Sequence, residues 1–295
     1  MRIGVKPGPY GWDFTQLQES WAAAERAGFD VISCFDHVTA SPAGRAAWDA
    51  PSLLTAMAGV TERATLAVDV INISLRHPFL LAGQLAVAQA AAGGRVEVGL
   101  GAGSHHVARF DHSAVSVPFP PLTERCDRLA RCCQAFPALW RGEEVTDARL
   151  GLNRASLGPV GIKPPPIFVG GTSEATITIA AAHADGWNAS VTDADQYAQL
   201  SRRADELCSL VGRDRVLRKA AQVFVRDIDF AQAKRLVGEF QDAGAETVTF
   251  VLTAEHGPDA VQSLAHAVLS LTSGKQAEAV IGSNEWQTSG GSNRQ

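Results

Sequence analysis

A chain of 295 residues with 46% hydrophobic and 19% charged side chains has enough apolar material for a large core, which excludes disorder over most of its length. The net charge is −5, with Lys and Arg scattered among acids, so no nucleic-acid partner is expected. No apolar run reaches the length of a membrane span, so no membrane partner is expected either.

The chain opens on a strand-like Arg2-Ile3-Gly4-Val5-Lys6, with no basic segment leading into a long apolar one, and a cytoplasmic location is the expectation. From there, short apolar runs alternate with segments of helical period. A strand over Ile3 to Lys6 is followed by a helix over Phe14 to Ala27, which Asp13 can cap and Gly28 can end. Next come strand Val31 to Phe35 with helix Pro51 to Thr61, and strand Leu66 to Ile73 with helix Phe79 to Ala91. Strand Val96 to Gly101 precedes helix Thr123 to Trp140, and strand Ile167 to Gly170 precedes helix Glu174 to Ala182, with Thr172-Ser173 at its start. The last three pairs are Gly186 to Ser190 with Ala194 to Val211, Ala221 to Val225 with Phe230 to Ala243, and Thr247 to Leu252 with Pro258 to Leu271.

Eight β/α pairs in about 275 residues predict an α/β fold, a single (β/α)8 TIM barrel with loop insertions, over residues 1–272. An open doubly wound sheet is the alternative. Residues 273–295 read as a polar, flexible tail. Two long connections interrupt the rhythm, Ser104 to Leu122 and Gly142 to Pro166. The first follows a strand, so a barrel places it on the C-terminal face, where such enzymes carry their active sites.

Several segments could carry chemistry. Gly170-Gly171-Thr172-Ser173 joins a strand to a helix, and free backbone amides with the helix dipole there would suit a phosphate; a plain tight turn with a hydroxyl cap is equally consistent. Gly99 to Ser104 holds a GxGxG that never completes GxGxxG, and no P-loop is present. Asp36-His37 ends a strand, where a carboxylate beside an imidazole can set its tautomer for proton transfer. Ser104-His105-His106 with His112 lacks zinc spacing and an acidic partner, so no metal is expected. Arg76-His77-Pro78 reads as a structural helix start, and Trp187 either lines an apolar pocket for a flat ring or packs in the core. The five cysteines, Cys34, Cys126, Cys132, Cys133 and Cys208, lack CxxC spacing and read as buried free thiols.

The order of Ala27-Gly28-Phe29-Asp30, Asp36-His37, Thr61-Glu62-Arg63, Arg76-His77-Pro78, Gly99 to Gly103, Pro165-Pro166-Ile167 with Gly170-Gly171, and Ala184 to Asn188 resembles the luciferase-like monooxygenase family of barrel oxidoreductases. That resemblance implies hydride exchange between coenzyme F420 and a small-molecule substrate; the alternatives are a monooxygenase using reduced FMN and oxygen, and a barrel that has lost catalysis and only binds a ligand. It implies cofactor contacts from Asp36, Asp69, Val70, Asn72, Gly103, Ser104, Gly170, Gly171, Thr172 and Trp187, a cis peptide near Asp69-Val70, and His37 as the catalytic residue. A homo-oligomer is implied too, and a flavin reductase partner if the cofactor is FMN. Ser104 stands where some deazaflavin-dependent sugar-phosphate dehydrogenases carry a catalytic Glu, which speaks against that mechanism.

Overall fold

The computed structural model describes residues 1–8, 10–40, 44–103, 107–225 and 230–269. Its first half runs β1 (Arg2–Pro7), α1 (Phe14–Ala27), β2 (Val31–Cys34), α2 (Ala50–Ala58), β3 (Thr65–Asn72), α3 (Pro78–Ala91) and β4 (Val96–Gly101). Then come α4 (Val107–Ala114), α5 (Leu122–Trp140), β5 (Val145–Asp147) and β6 (Leu152–Ala155). The second half runs β7 (Ile167–Gly170), α6 (Glu174–His183), β8 (Gly186–Ser190), α7 (Ala194–Leu210), β9 (Arg218–Phe224), α8 (Phe230–Asp242), β10 (Thr247–Leu252) and α9 (Asp259–Val268). Strands β1, β2, β3, β4, β7, β8, β9 and β10 form one closed parallel barrel, sealed where Arg2–Pro7 lie opposite Thr247–Leu252. This is the expected (β/α)8 architecture, and the open-sheet alternative falls.

Local chemistry explains the element ends. Asp13 accepts from the Gln16 amide while Gln16 Oε1 accepts from the Asp13 amide, and Gly28 closes α1 in the left-handed conformation at φ 97°. Ser173 caps α6 and Pro78 stands in the first turn of α3, as expected. The strands are buried on both faces, inward against each other and outward against the helices, which is why they read as continuous apolar runs.

Both long connections contain structure that was not expected. Residues Val107–Ala114 form α4, and the second insertion folds into the antiparallel β5–β6 hairpin. Helix α4 has only eight residues and the hairpin strands three and four, too short for a sustained period to announce them. Of the cysteines, Cys34, Cys132 and Cys133 are buried and Cys126 and Cys208 half-buried, all unpaired. Among the described residues no helix is long and apolar enough to cross a membrane. The expected tail lies outside the described residues.

Inside the barrel, the Asp69-Val70 peptide is cis, as the resemblance implied, and the β3–β4 register shifts between Val68 and Ile71. The Val70 side chain packs where three glycines leave room. A Cβ at Gly101 would lie 2.4 Å from Val70 Cγ2, and one at Gly170 or Gly99 would lie 2.6 or 2.9 Å from Val70 Cγ1. Gly101→Ala should therefore destabilise the protein by about 1–3 kcal/mol in urea unfolding, the cost of overpacking. In a Val70→Ala background that cost should largely vanish; an undiminished cost would show that Val70 is not what Gly101 accommodates.

Candidate active site

A cavity of about 520 Å³ opens among the C-terminal ends of the strands, within the size range of small-molecule and cofactor sites. The segment after β2 contributes Phe35, Asp36 and His37, β3 contributes Asp69, Val70 and Asn72, and the end of β4 contributes Gly101 to Gly103. Across from them stand Gly170 to Ser173 with Thr176, then Asn188, Ser190 and Gln222 from β8 and β9; Ala108, Asp111 and Leu122 close the rim.

His37 receives its carboxylate from a distant element. Asp111 on α4 accepts from His37 Nδ1 at 3.0 Å, from the amides of Val38 and Thr39 at 3.2 and 3.1 Å, and from Thr39 Oγ1 at 2.8 Å. Burial acts to raise the Asp111 pKa, yet the hydrogen bonds from His37 and Thr39 prevail and hold it below the ordinary value. An ionised carboxylate only accepts, so Nδ1 carries the proton and Nε2 is left as the second functional nitrogen. Tyr10 stacks on the imidazole, ring centroids 5.0 Å apart. Burial and the Asp111 charge push the Tyr10 phenol up to about 12, so it is neutral at physiological pH.

The neighbouring Asp36 does a different job. Adjacent side chains diverge along extended backbone, and Asp36 turns to Arg76, which grips it with two bonds of 2.7 and 2.6 Å. Asp36 also accepts from the Asn72 amide at 3.0 Å, and Arg76 reaches Asp49, the cap of α2, at 2.6 Å. The expectation that Asp36 sets the His37 tautomer is corrected: Asp36 locks the backbone beneath the site, and Asp111 holds the imidazole.

On β4's side, Arg125 of α5 donates to the carbonyls of Ala102 and Gly103. His112, next to Asp111, donates from Nδ1 to the Pro118 carbonyl at 2.9 Å, leaving Nε2 to accept from Asn72 Nδ2 at 3.3 Å. Asn72 is thereby fixed at the cavity wall.

The floor is a buried polar chain. Lys6, fully buried, donates to Gln222 Oε1 at 2.6 Å and to the Asp69 carbonyl, with its ammonium 3.4 Å from the centroid of Phe35. Gln222 Nε2 donates to Asn188 Oδ1 at 2.6 Å, and Asn188 Nδ2 donates to Asp69 Oδ1 at 3.1 Å. Ser33 Oγ completes the chain on Asp69 Oδ2 at 2.5 Å. Burial lowers the Lys6 pKa to about 8 against the opposing pull of Asp69, while burial raises that of Asp69.

At the opposite end, Gly171 adopts φ 140° and its amide bonds the Asn188 carbonyl at 3.1 Å. A Cβ there would lie 2.6 Å from Thr176 Oγ1. The Thr172, Ser173, Thr176 and Ser190 residues line this end beside the N-terminus of α6, a donor set and dipole suited to a phosphate.

Nine of the expected site residues line the cavity: Asp36, His37, Asp69, Val70, Asn72, Gly103, Gly170, Gly171 and Thr172. Ser104, like His105 and His106, lies outside the described residues. Trp187 is corrected: it faces the helices, stacked on Tyr197 at 5.4 Å, and donates from Nε1 to the Gly171 carbonyl at 2.8 Å. Strand alternation sends its neighbour Asn188 inward instead. Lys6, Asp111, Asn188 and Gln222 were not anticipated as part of the site; only the polarity of Lys6, Asn188 and Gln222 at inward strand positions could have signalled them.

The model for the luciferase-like monooxygenase family matches residues 1–237, and the chain belongs to that family. An F420-dependent glucose-6-phosphate dehydrogenase of Beutenbergia cavernae is 28% identical over 193 residues, 63% of this chain and 56% of the relative. An F420-dependent hydroxymycolic acid dehydrogenase of Mycobacterium tuberculosis is 27% identical over 223 residues, 68% of this chain and 61% of the relative. The chain thus spans little more than half the length of these curated relatives. A solved F420-dependent secondary alcohol dehydrogenase, in complex with an F420-acetone adduct, shares the fold with a TM-score of 0.76 at 16% identity, over 90% of this chain and 98% of that one.

The floor lysine makes stability depend on pH. Unfolding restores Lys6 to 10.5, so between about 8 and 10.5 the unfolded chain holds the extra proton and the Lys6 contribution to stability rises with pH. Below about 8, burying the ammonium costs its full amount, on the order of 3 kcal/mol. Urea unfolding of wild type and Lys6→Met from pH 7 to 10 should show wild type gaining on the variant, a comparison in which the buried thiols cancel. A difference independent of pH would contradict the lowered pKa.

Proposed function

We propose that this protein is a coenzyme F420-dependent oxidoreductase that exchanges hydride with a small organic substrate. The observation that carries the proposal is His37 at the cavity wall, tied at Nδ1 to Asp111 with Nε2 remaining to take or return a proton. The F420-dependent activities of the curated relatives support it.

The residues present fit such a cofactor. Thr172 and Ser173, at the N-terminus of α6 and beside Gly170 and Gly171, would hold its phosphate through amides and hydroxyls, and Asp69, Val70, Asn72 and Gly103 would hold its ring and linker. When bound, coenzyme F420 supplies a ring carbon that accepts or returns a hydride. The protein's part is positional and acid–base. In the oxidative direction the hydroxyl proton of an alcohol passes to His37 Nε2; in the reductive direction the imidazolium returns it to the oxygen of a carbonyl. Asp111 stabilises the imidazolium and keeps the ring from flipping, while Asp36 and Arg76 keep the strand end from shifting.

The working protein is a cytoplasmic homo-oligomer in this proposal. Helix α3 contains no charged residue from Pro78 to Ala91, yet it exposes Leu80 and Val87, a surface suited to burial against another subunit. A flavin reductase is required only if reduced FMN replaces F420.

Titration of the purified protein with F420 and with FMN, followed by absorbance, should show F420 binding the tighter. His37→Ala should keep F420 affinity within a few-fold and lower anaerobic turnover by about 10²–10⁴. Tighter binding of reduced FMN, with substrate-dependent oxygen consumption, would replace this function with a monooxygenase.

A further inference from the structure

We propose that the substrate of this site is an uncharged alcohol or ketone with an apolar flank, carrying neither phosphate nor carboxylate. The inference rests on the hydride-transfer function proposed above and narrows its substrate class through the charges and surfaces at the His37 end.

Among the described residues, those lining the cavity include three carboxylates, Asp36, Asp69 and Asp111, and no Lys or Arg. The carboxylates differ in what offsets them. Asp36 is neutralised by the two-pronged Arg76 contact, and Asp69 lies beside the buried Lys6 with its two oxygens accepting from Ser33 and Asn188. Asp111 is held ionised by hydrogen-bond donors that are all neutral when His37 is the neutral base. Among the described residues the ion-pair partner of Asp111 is His37 itself, so the Asp111 charge is unpaired where an alcohol would meet Nε2 of the neutral imidazole. A second anion brought there would be repelled in a partly desolvated site, where charges act strongly. The amide- and hydroxyl-rich end at Gly170 to Ser173, which among the described lining residues suits an anion, is assigned above to the cofactor phosphate.

The surfaces near His37 are apolar. Phe35 lies 6.4 Å from the His37 ring, Tyr10 covers the imidazole, and Ala108 and Leu122 line the same cavity. Phe224 packs against Phe35 with centroids 6.3 Å apart and stays 45% exposed, while Leu122 is 49% exposed. Half-exposed aromatic and aliphatic side chains around a cavity that holds a proton acceptor suit a hydrocarbon flank that covers them. The glucose-6-phosphate named for the Beutenbergia cavernae relative lacks both properties, being anionic and polar throughout.

Cyclohexanone and cyclohexanecarboxylate have similar size and differ in charge, so they test the inference as probes. Saturation-transfer NMR and titration on the whole chain at a pH where His37 is neutral, alone and with F420 or FMN added, should show the ketone binding at least about tenfold tighter than the carboxylate. Asp111→Asn should bring the two within about threefold by admitting the anion. Equal or tighter binding of the carboxylate to wild type, binding of neither probe, or a gap unchanged in Asp111→Asn would each overturn the proposal. Preference for the ketone without F420 binding would support it and overturn the cofactor assignment alone.

Discussion

The four hydrogen bonds that converge on Asp111 tie the segment leaving β2 to a helix inserted after β4, and the geometry at the cavity mouth depends on them. Without that carboxylate the amides of Val38 and Thr39 and the Nδ1 proton of His37 would lose their acceptor, each at a cost of the order of 1–3 kcal/mol where water is excluded. The adjacent His112 extends the tie to Asn72 on β3. One turn of α4 thus fixes side chains on two neighbouring strand ends, and the imidazole inherits a defined tautomer from the packing of the loop.

Beneath this mouth the barrel interior meets a different demand. Eight strands closing on themselves leave a narrow interior, and the polar groups that reach it must satisfy one another. Ser33, Asp69, Asn188, Gln222 and Lys6 do so in a single chain of donors and acceptors drawn from five strands and their ends. Because each member is paired, the floor is rigid, and Val70 is presented to the cavity from a β3 that three glycines allow to press inward. Rigidity of this kind is what a site that works by orientation requires.

The architecture was legible in the sequence because its determinants are local. Parallel strands buried on both faces appear as apolar runs, Asp13 and Gly28 mark helix ends by side-chain and backbone chemistry, and alternation over the chain implies closure. Strand-end residues such as His37, Asn72 and Gly170 were legible for the same reason, since the barrel sends every strand end to one rim. Partnerships were not. Asp36 is His37's neighbour in the chain, but Asp111, 74 positions away, is its neighbour in space. Trp187 and Asn188 differ by one step of strand alternation, which periodicity alone assigns only when the register is known. Helix α4 is tied to the strand ends through Asp111 and His112, and the β5–β6 hairpin to α5 through Arg131 on Asp147, partnerships that so short a segment does not reveal in its own sequence.

The central claim is that Asp111 holds neutral His37 with its proton on Nδ1 and Nε2 available for chemistry. Two-dimensional ¹⁵N–¹H NMR of histidine-labelled protein reports this directly, with the His37 signals assigned by their loss in His37→Gln. At a pH where His37 is neutral, wild type should show a protonated Nδ1 and an unprotonated Nε2, and Asp111→Asn should shift the ring toward the other tautomer. A wild-type His37 protonated at Nε2, or a tautomer indifferent to Asp111→Asn, would contradict the claim.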